Sequence, residues 1–224
     1  METAKVIQQE YSDLLKVKTT ACVDGPYDIS GIMMDAMLHN DNIQLYVPSL
    51  VFSFDNVFSA YEPDFSYTNT LRNDIPGFQE GYSGVYLNPD ENDPVHATNR
   101  YLKTALGYDC KDETKALSQS FIDSIQCPTS NLQKYIRTCN AFYNWVPEMP
   151  VMFFHNPGDP TVIVDNVYKA MEEFNKAGCV TVDYTLFPEY LEQIYFHGGA
   201  CVIGMFKAFK WIDKQVYGDR IVNQ

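Results

Sequence analysis

The hydrophobic pattern is clearest after Trp145, where short apolar runs alternate with amphipathic stretches. The run MPVMFF (149–154) is unbroken and short, which is typical of a strand buried on both faces. The stretch VTVDYTLF (180–187) alternates apolar and polar positions and predicts a second strand. Each run is followed by a helical pattern, so the order strand, helix, strand, helix predicts a parallel sheet with right-handed crossovers.

Both helical patterns in this region have a candidate inward face. DNVYKAMEEFNKAG (165–178) carries a stripe at helical spacing and ends at a glycine; the stripe is Val167, Ala170, Met171 and Phe174. ACVIGMFKAFKWIDKQV (200–216) predicts a second helix, for which we expect an inward face of Val202, Met205, Phe206, Phe209 and Ile212.

The beginning of the chain continues the same layout. Residues 2–15 place five apolar side chains on one helical face, namely Val6, Ile7, Tyr11, Leu14 and Leu15. KVKTTACV (16–23) then alternates and predicts a strand, which Gly25 and Pro26 end. The fold class is therefore α/β, with a short parallel sheet of about three strands and flanking helices.

Between these two regions the pattern changes. Residues 32–145 contain short helical stretches, such as those at 49–61, 97–106 and 113–125, which are separated by Pro, Asn, Asp and Gly. This region is also rich in Tyr and Phe. We therefore predict a core made of residues 1–31 and 146–224, with residues 32–145 inserted as a large helical cap. Aromatic side chains at helical spacing in the cap favour either core packing or a lipid-facing groove: Phe52, Phe54, Phe58 and Tyr61.

Composition and charge exclude several function classes. The 224 residues carry a net charge of −13, which disfavours nucleic acid or an anionic membrane as partner. No apolar run approaches the roughly 20 residues of a membrane span, and the first residues do not resemble a signal peptide. The six cysteines form no CxxC pair, so we predict no metal site and no cofactor. Cys110, Cys127 and Cys139 allow one disulfide in an exported protein, or free buried thiols.

Two polar side chains follow the predicted strands of the last region. Asp159 comes after the first of these strands and His197 after the second, each before a helix. Because the carboxyl ends of parallel strands share one edge of the sheet, we expect the two side chains to lie together. An acid that orients a histidine general base is the recurrent arrangement for activating a serine. The alternatives are a turn aspartate in PGDP and a histidine that merely begins a helix.

Three stretches carry a resemblance to a known family: TTACVDGPYDISG (19–31), the segment from Asn140 to Met171, and FHGGACVIGMFKAFKWID (196–213). Together they resemble the bacterial α/β-hydrolases related to secretory lipases and S9-type peptidases, from about Met1 to Trp211 with a loosely matching cap. The resemblance implies an incomplete α/β-hydrolase fold, with Asp159 as the acid and His197 as the general base. It also implies a G-x-S-x-G nucleophile elbow just before the helix at residues 2–15, where this chain begins.

No residue within the chain matches the nucleophile that the resemblance implies. Ser83 in EGYSGVY has its second glycine one position early and no strand leading into it, so a Gly-rich turn is the simpler interpretation. Ser30 follows the first strand at the correct edge and suits a pocket lining better than attack. Cys201 lies within the turn after His197, but the resulting order of cysteine and histidine would be unlike that of the family. Of the remaining histidines, His155 is expected to pack as a neutral side chain near the site, and His39 and His96 to be solvated.

The resemblance implies the carboxyl-terminal part of a serine hydrolase that cleaves ester or peptide bonds and is inactive alone. A small-molecule ester or peptide would be its substrate once an amino-terminal half completes it. The alternative is a non-catalytic binding protein derived from the same fold. The strand at 16–23 would lack its usual neighbour, so its open edge predicts self-association. Relatives of this kind are often exported, although nothing in the chain predicts its location.

Overall fold

The computed structural model describes residues 1–39, 118–188 and 197–218. In chain order the described elements are α1 (Glu2–Glu10), β1 (Thr20–Val23), a π-helical turn (Ile29–Met33), α2 (Met34–His39), α3 (Gln119–Gln126), α4 (Asn131–Thr138), β2 (Val151–His155), α5 (Asp165–Lys176), β3 (Val182–Leu186) and α6 (His197–Tyr217). None of these helices is long and apolar enough to cross a membrane.

The chain divides into two compact units. The first combines Met1–Met33 with Arg137–Gln224 and contains all three described strands, and the second is Met34–Ile136. In the second unit, the Ser118 hydroxyl caps α3 by accepting from the backbone N–H of Phe121. The buried face of α3 consists of Phe121, Ile122 and Ile125.

The three described strands form one parallel sheet in the order β1-β2-β3. This confirms the predicted short parallel sheet with flanking helices. The central strand is apolar on both sides: Val151 and Phe153 belong to one buried cluster, and Phe154 belongs to another. An unbroken apolar run therefore reflects a strand that is covered on both faces.

Helix α5 covers the face of the sheet that carries Val151 and Phe153, and it does so with the predicted side chains. Val167, Ala170 and Phe174 are buried, and Met171 packs against the same cluster. Gly178 follows the helix with φ of 76°, and the N–H of Cys179 bonds to the carbonyl of Phe174. A positive φ at this position is the usual helix stop, and glycine adopts it without strain.

The predicted inward face of α6 is wrong. Val202, Met205, Phe206 and Phe209 are all more than half exposed, and the buried residues are instead Ala200, Gly204 and Ala208. The helix lies so close to the sheet that a Cβ built at Gly204 would overlap Val23. Small residues at i, i+4 and i+8 permit this close approach, which the large side chains of the predicted face would prevent.

Gly204→Ala should therefore destabilise the protein, although alanine favours a helix by about 1 kcal/mol over glycine. The added Cβ would also lie 3.0 Å from Phe187, and overpacking costs about 1–3 kcal/mol. Gly198→Ala is the matched control, because no atom lies within 4 Å of a Cβ at that position of the same helix. Urea denaturation of both variants tests the prediction, and equal free energies of unfolding would contradict it.

Two element boundaries at the start of the chain also differ from the prediction. Helix α1 ends at Glu10 rather than near residue 15, and Leu14 and Leu15 are exposed, so no packing stabilises a longer helix. Strand β1 begins at Thr20 rather than residue 16. Thr20 pairs with Val151 of β2, and the residue before Val151 is Pro150. Proline has no N–H to donate, which ends the ladder at this point.

Several predictions fall outside the described residues. They concern the helical stretches at 49–61 and 97–106, the aromatic groups of the cap, Ser83, His96 and Cys110. The stretch at 113–125 is described only from Ser118 onward, where α3 confirms its helical character. Cys127 and Cys139 are both exposed, so of the alternatives left open above the burial of these two thiols is wrong.

Candidate active site

The turn after β2 presents Asp159 at the carboxyl edge of the sheet. The N–H of Asp159 bonds to the carbonyl of Asn156 at 3.0 Å and closes the turn. Its Oδ1 accepts from the backbone N–H groups of Thr161 (2.8 Å) and Val162 (3.1 Å). The side chain is buried, so these two bonds hold the carboxylate in one orientation with Oδ2 facing outward from the turn.

His197 is the first residue of α6, and its ring reaches that second oxygen. The distance from His197 Nδ1 to Asp159 Oδ2 is 2.6 Å, and Nδ1–H is the donor because an ionised carboxylate only accepts. The Asp159 side chain is 0% exposed and the His197 side chain 27% exposed. The structure therefore brings together the acid and the imidazole that the sequence placed on neighbouring turns.

The environment of the pair raises the pKa of His197. The hydrogen bond that His197 donates to Asp159 is the main cause, and the negative charges of Asp159 and Asp24 add to it, while partial burial acts in the opposite direction. With Nδ1–H directed at the acid, Nε2 is the atom left to accept a proton. This is the arrangement in which a histidine serves as a general base.

The Nε2 side of the ring faces Cys201, one turn further along α6. The Sγ atom lies 4.0 Å from Nε2, which is long for a hydrogen bond. Burial, followed by the charges of Asp24 and Asp159, raises the pKa of this thiol. A raised pKa keeps Cys201 protonated, whereas a nucleophilic cysteine needs a lowered one.

Ser30 lies in the π-helical turn after β1, and its described contacts are structural. Its hydroxyl accepts from Asn140 Nδ2 at 2.8 Å, and its N–H donates to Asn140 Oδ1 at 3.0 Å. The same Asn140 donates to Asp28 Oδ1 at 2.8 Å, and Asp28 in turn accepts from the N–H groups of Gly31 and Ile32. These bonds stabilise the turn itself.

Asp24 is a site residue that the sequence interpretation missed. It lies directly after β1, is 2% exposed and has φ of 42°. Its Oδ1 is 3.4 Å from Nδ1 of His155, which is completely buried. Asp24 directly follows a parallel strand, as Asp159 does, so the same reasoning about strand ends applies to it. The sequence Asp-Gly-Pro is also typical of a turn, and Asp24 was therefore interpreted as a turn residue.

Asp24, His155 and Asp159 are also close enough together to be considered for a metal ion, with one ligand atom of each within 4.8 Å of the others. However, Oδ1 of Asp159 already accepts two backbone hydrogen bonds and Oδ2 binds His197. An ion would have to displace one of these bonds, so the donor set fits a metal poorly. His39 is exposed, as expected from the sequence, and its Nδ1 bonds to the carbonyl of Asp35 one turn earlier in α2.

No protein-family model matches the chain, and no curated protein matches it by sequence. Solved structures do match. One is the G231F mutant of the rice cell wall degrading esterase LipA from Xanthomonas oryzae, with a TM-score of 0.64, 14% identity, and coverage of 95% of this chain and 55% of that one. Another is a Legionella pneumophila protein described as a hydrolase, with a TM-score of 0.67, 15% identity, and coverage of 96% and 53%.

Candida antarctica lipase A is similar as well, with a TM-score of 0.63, 13% identity, and coverage of 95% of this chain and 44% of the lipase. The chain therefore spans about half the length of the structures it matches. At these identities the likeness concerns the fold. The chain has a partial α/β-hydrolase fold, the fold of these esterases and lipases.

Proposed function

We propose that the chain supplies the acid and the general base of a serine hydrolase, with Asp159 and His197 in these roles. The observation that carries the proposal is the 2.6 Å contact between the two side chains, in which a buried carboxylate orients the imidazole. No nucleophile is assigned among the described residues. The serine is proposed to lie on a separate amino-terminal segment, so that the chain alone is inactive.

The proposed substrates contain an ester or a peptide bond. Similar structures named as esterases and lipases favour esters. The relation to bacterial secretory lipases and to S9-type peptidases stays a prediction. Residues 34–136, the second compact unit, are proposed to act as the cap predicted at residues 32–145.

A non-catalytic binding role of the same fold is the alternative. It is favoured by the exposed apolar side chains along α6, among them Phe206 at 67% and Phe209 at 59% exposed. Exposed apolar patches of this kind are typical of binding surfaces. In that role the contact between Asp159 and His197 would only stabilise the start of α6.

The nucleotide sequence upstream of the Met1 codon distinguishes the two roles. A reading frame that continues in phase into a G-x-S-x-G elbow supports the hydrolase, and a promoter and ribosome-binding site there support the binding protein. The chain joined to the segment so encoded should hydrolyse p-nitrophenyl esters, and His197→Ala should abolish that activity. A joined protein that folds and is equally active with His197→Ala would contradict the proposal.

We also expect self-association of the purified chain. Among the described strands, β1 pairs only with β2, so one edge of β1 offers its backbone N–H and C=O groups to another chain. Gel filtration with light scattering should show dimers or larger species whose proportion increases with protein concentration. A clean monomer at the highest concentration would contradict this expectation.

A further inference from the structure

Asp24 holds the beginning of the turn that presents Asp159. Its own N–H bonds to the carbonyl of Phe154 at 2.9 Å, and its Oδ1 accepts from the N–H of Asn156 at 2.7 Å. The carbonyl of Asn156 then accepts from Asp159. The positive φ of Asp24 directs its side chain to this position, and aspartate is one of the few residue types that adopt such a φ readily.

His155 holds the end of the same turn. Its Nε2 lies 2.9 Å from the carbonyl oxygen of Val162, and since a carbonyl can only accept, Nε2 carries the proton. The N–H of Val162 in turn donates to Asp159. Asp24 and His155 are therefore bonded to opposite ends of the turn that orients the acid.

The two side chains also face each other, and one polar atom of each lacks a hydrogen-bond partner among the described residues. Nδ1 of His155 lies 3.4 Å from Oδ1 of Asp24, and both side chains are fully buried. Among the described residues, neither His155 Nδ1 nor Asp24 Oδ2 has a hydrogen-bond partner. If Asp24 were ionised and Nδ1 of His155 carried no proton, two acceptors would face each other in the interior with no donor between them, which destabilises the folded state.

We propose that Asp24 is a carboxylic acid when the folded protein is in mildly acidic solution, that its proton is directed toward Nδ1 of His155, and that this neutral pair positions Asp159. The inference rests on the proposed function only in assigning Asp159 as the acid. Asp24 and His155 are positioning residues, since they act through the turn and not on a substrate. A neutral pair also leaves Asp159, among the described residues, as the carboxylate whose charge acts on His197.

The electrostatic environment supports a neutral pair. Burial is the main cause that raises the pKa of Asp24, to about 6, and burial also lowers the pKa of His155. Both shifts favour the uncharged form of each group. Further titratable groups are coupled electrostatically to Asp24 from the adjoining segments, namely Tyr27, Asp159, His197 and Cys201.

The protonation state of Asp24 determines how the stability of the folded chain changes with pH. Because the pKa of Asp24 is higher in the folded than in the unfolded chain, its contribution to stability is complete below about pH 3.9 and is lost as the pH rises through about 6. An ionised Asp24 paired with a protonated His155 would have the opposite sign. Its contribution would be present above about pH 3.9 and lost in acid.

Asp24→Asn is the decisive variant, since asparagine mimics the neutral acid. Its carbonyl can still accept from the N–H of Asn156, and the side chain stays uncharged at every pH. We expect the melting temperature of Asp24→Asn relative to the unmodified chain to increase from pH 4 to pH 8. A difference that stays constant or decreases over this range would overturn the proposal. Asp24→Leu, which removes the acceptor of the Asn156 N–H, should melt lower than Asp24→Asn at every pH.

Long-range ¹H–¹⁵N spectra of the uniformly ¹⁵N-labelled, unmodified chain give a second readout that needs no variant. We expect His155 to be neutral at pH 6, with the proton on Nε2, and a protonated Nδ1 would overturn the proposal. A rise in melting temperature on adding Zn²⁺ that Asp24→Asn abolishes would also overturn it, by showing a cation in place of the proton. None of these measurements uses activity, so they are independent of the proposed hydrolase function.

Discussion

The purified chain should hydrolyse p-nitrophenyl acetate no faster than its own His197→Ala variant. The proposed acid and base, Asp159 and His197, lie 2.6 Å apart, but a general base accelerates acyl transfer only if a positioned nucleophile gives up its proton. Loss of the nucleophile from a serine-protease triad costs about 10⁶ in kcat. Initial rates across a range of substrate concentrations, with the spontaneous hydrolysis subtracted, provide the measurement.

Three further variants identify any nucleophile that the chain does contain. Ser30→Ala and Ser83→Ala test the two serine candidates, and Cys201→Ala tests the thiol 4.0 Å from His197 Nε2. Turnover that His197→Ala abolishes and both serine variants retain would contradict an absent nucleophile of the kind proposed. Loss of that turnover in Cys201→Ala would then assign the role to the thiol.

The adjacency of Asp159 and His197 was predictable because it depends on topology. Each follows a strand of one parallel sheet, and such strands end at a common edge. The central strand was equally predictable, since its unbroken apolar run can be satisfied only by cover on both faces. Both inferences use spacing and strand direction, and neither depends on how individual side chains pack.

The face of α6 could not be predicted in the same way. Its apolar residues occupy more than one side of the helix, so helical periodicity does not select a face. The short distance between α6 and the sheet decides which face is buried. Gly204 packs directly against Val23, and only small residues leave room for this contact. Asp24 was missed for a related reason, because its role comes from two bonds to segments more than a hundred residues away.

In the proposed hydrolase, a change at Asp159 should lower kcat nearly as much as a change at His197. In a hydrolase assembled from this chain and a nucleophile-bearing segment, Asp159→Asn should lower kcat by about 10⁴, the effect of the same change in a serine-protease triad. The backbone N–H groups of Thr161 and Val162 would retain the asparagine oxygen at the position of Oδ1. The amide would then donate to His197 Nδ1, which moves the ring proton to Nε2 and prevents that atom from accepting one.

The same substitution has a readout in the isolated chain. Because the hydrogen bond accepted by Asp159 is the main cause that raises the pKa of His197, Asp159→Asn should lower this pKa in an NMR titration. Asp183→Asn, which removes an exposed carboxylate from β3, is the charge-matched control and should leave the titration unchanged. In the unmodified chain the contribution of His197 to stability is complete below about pH 6.5 and is lost as the pH rises through its raised pKa. A His197 pKa that does not respond to Asp159→Asn would show that the carboxylate does not bind the imidazole in solution, and the hydrolase proposal would then lose the contact on which it rests.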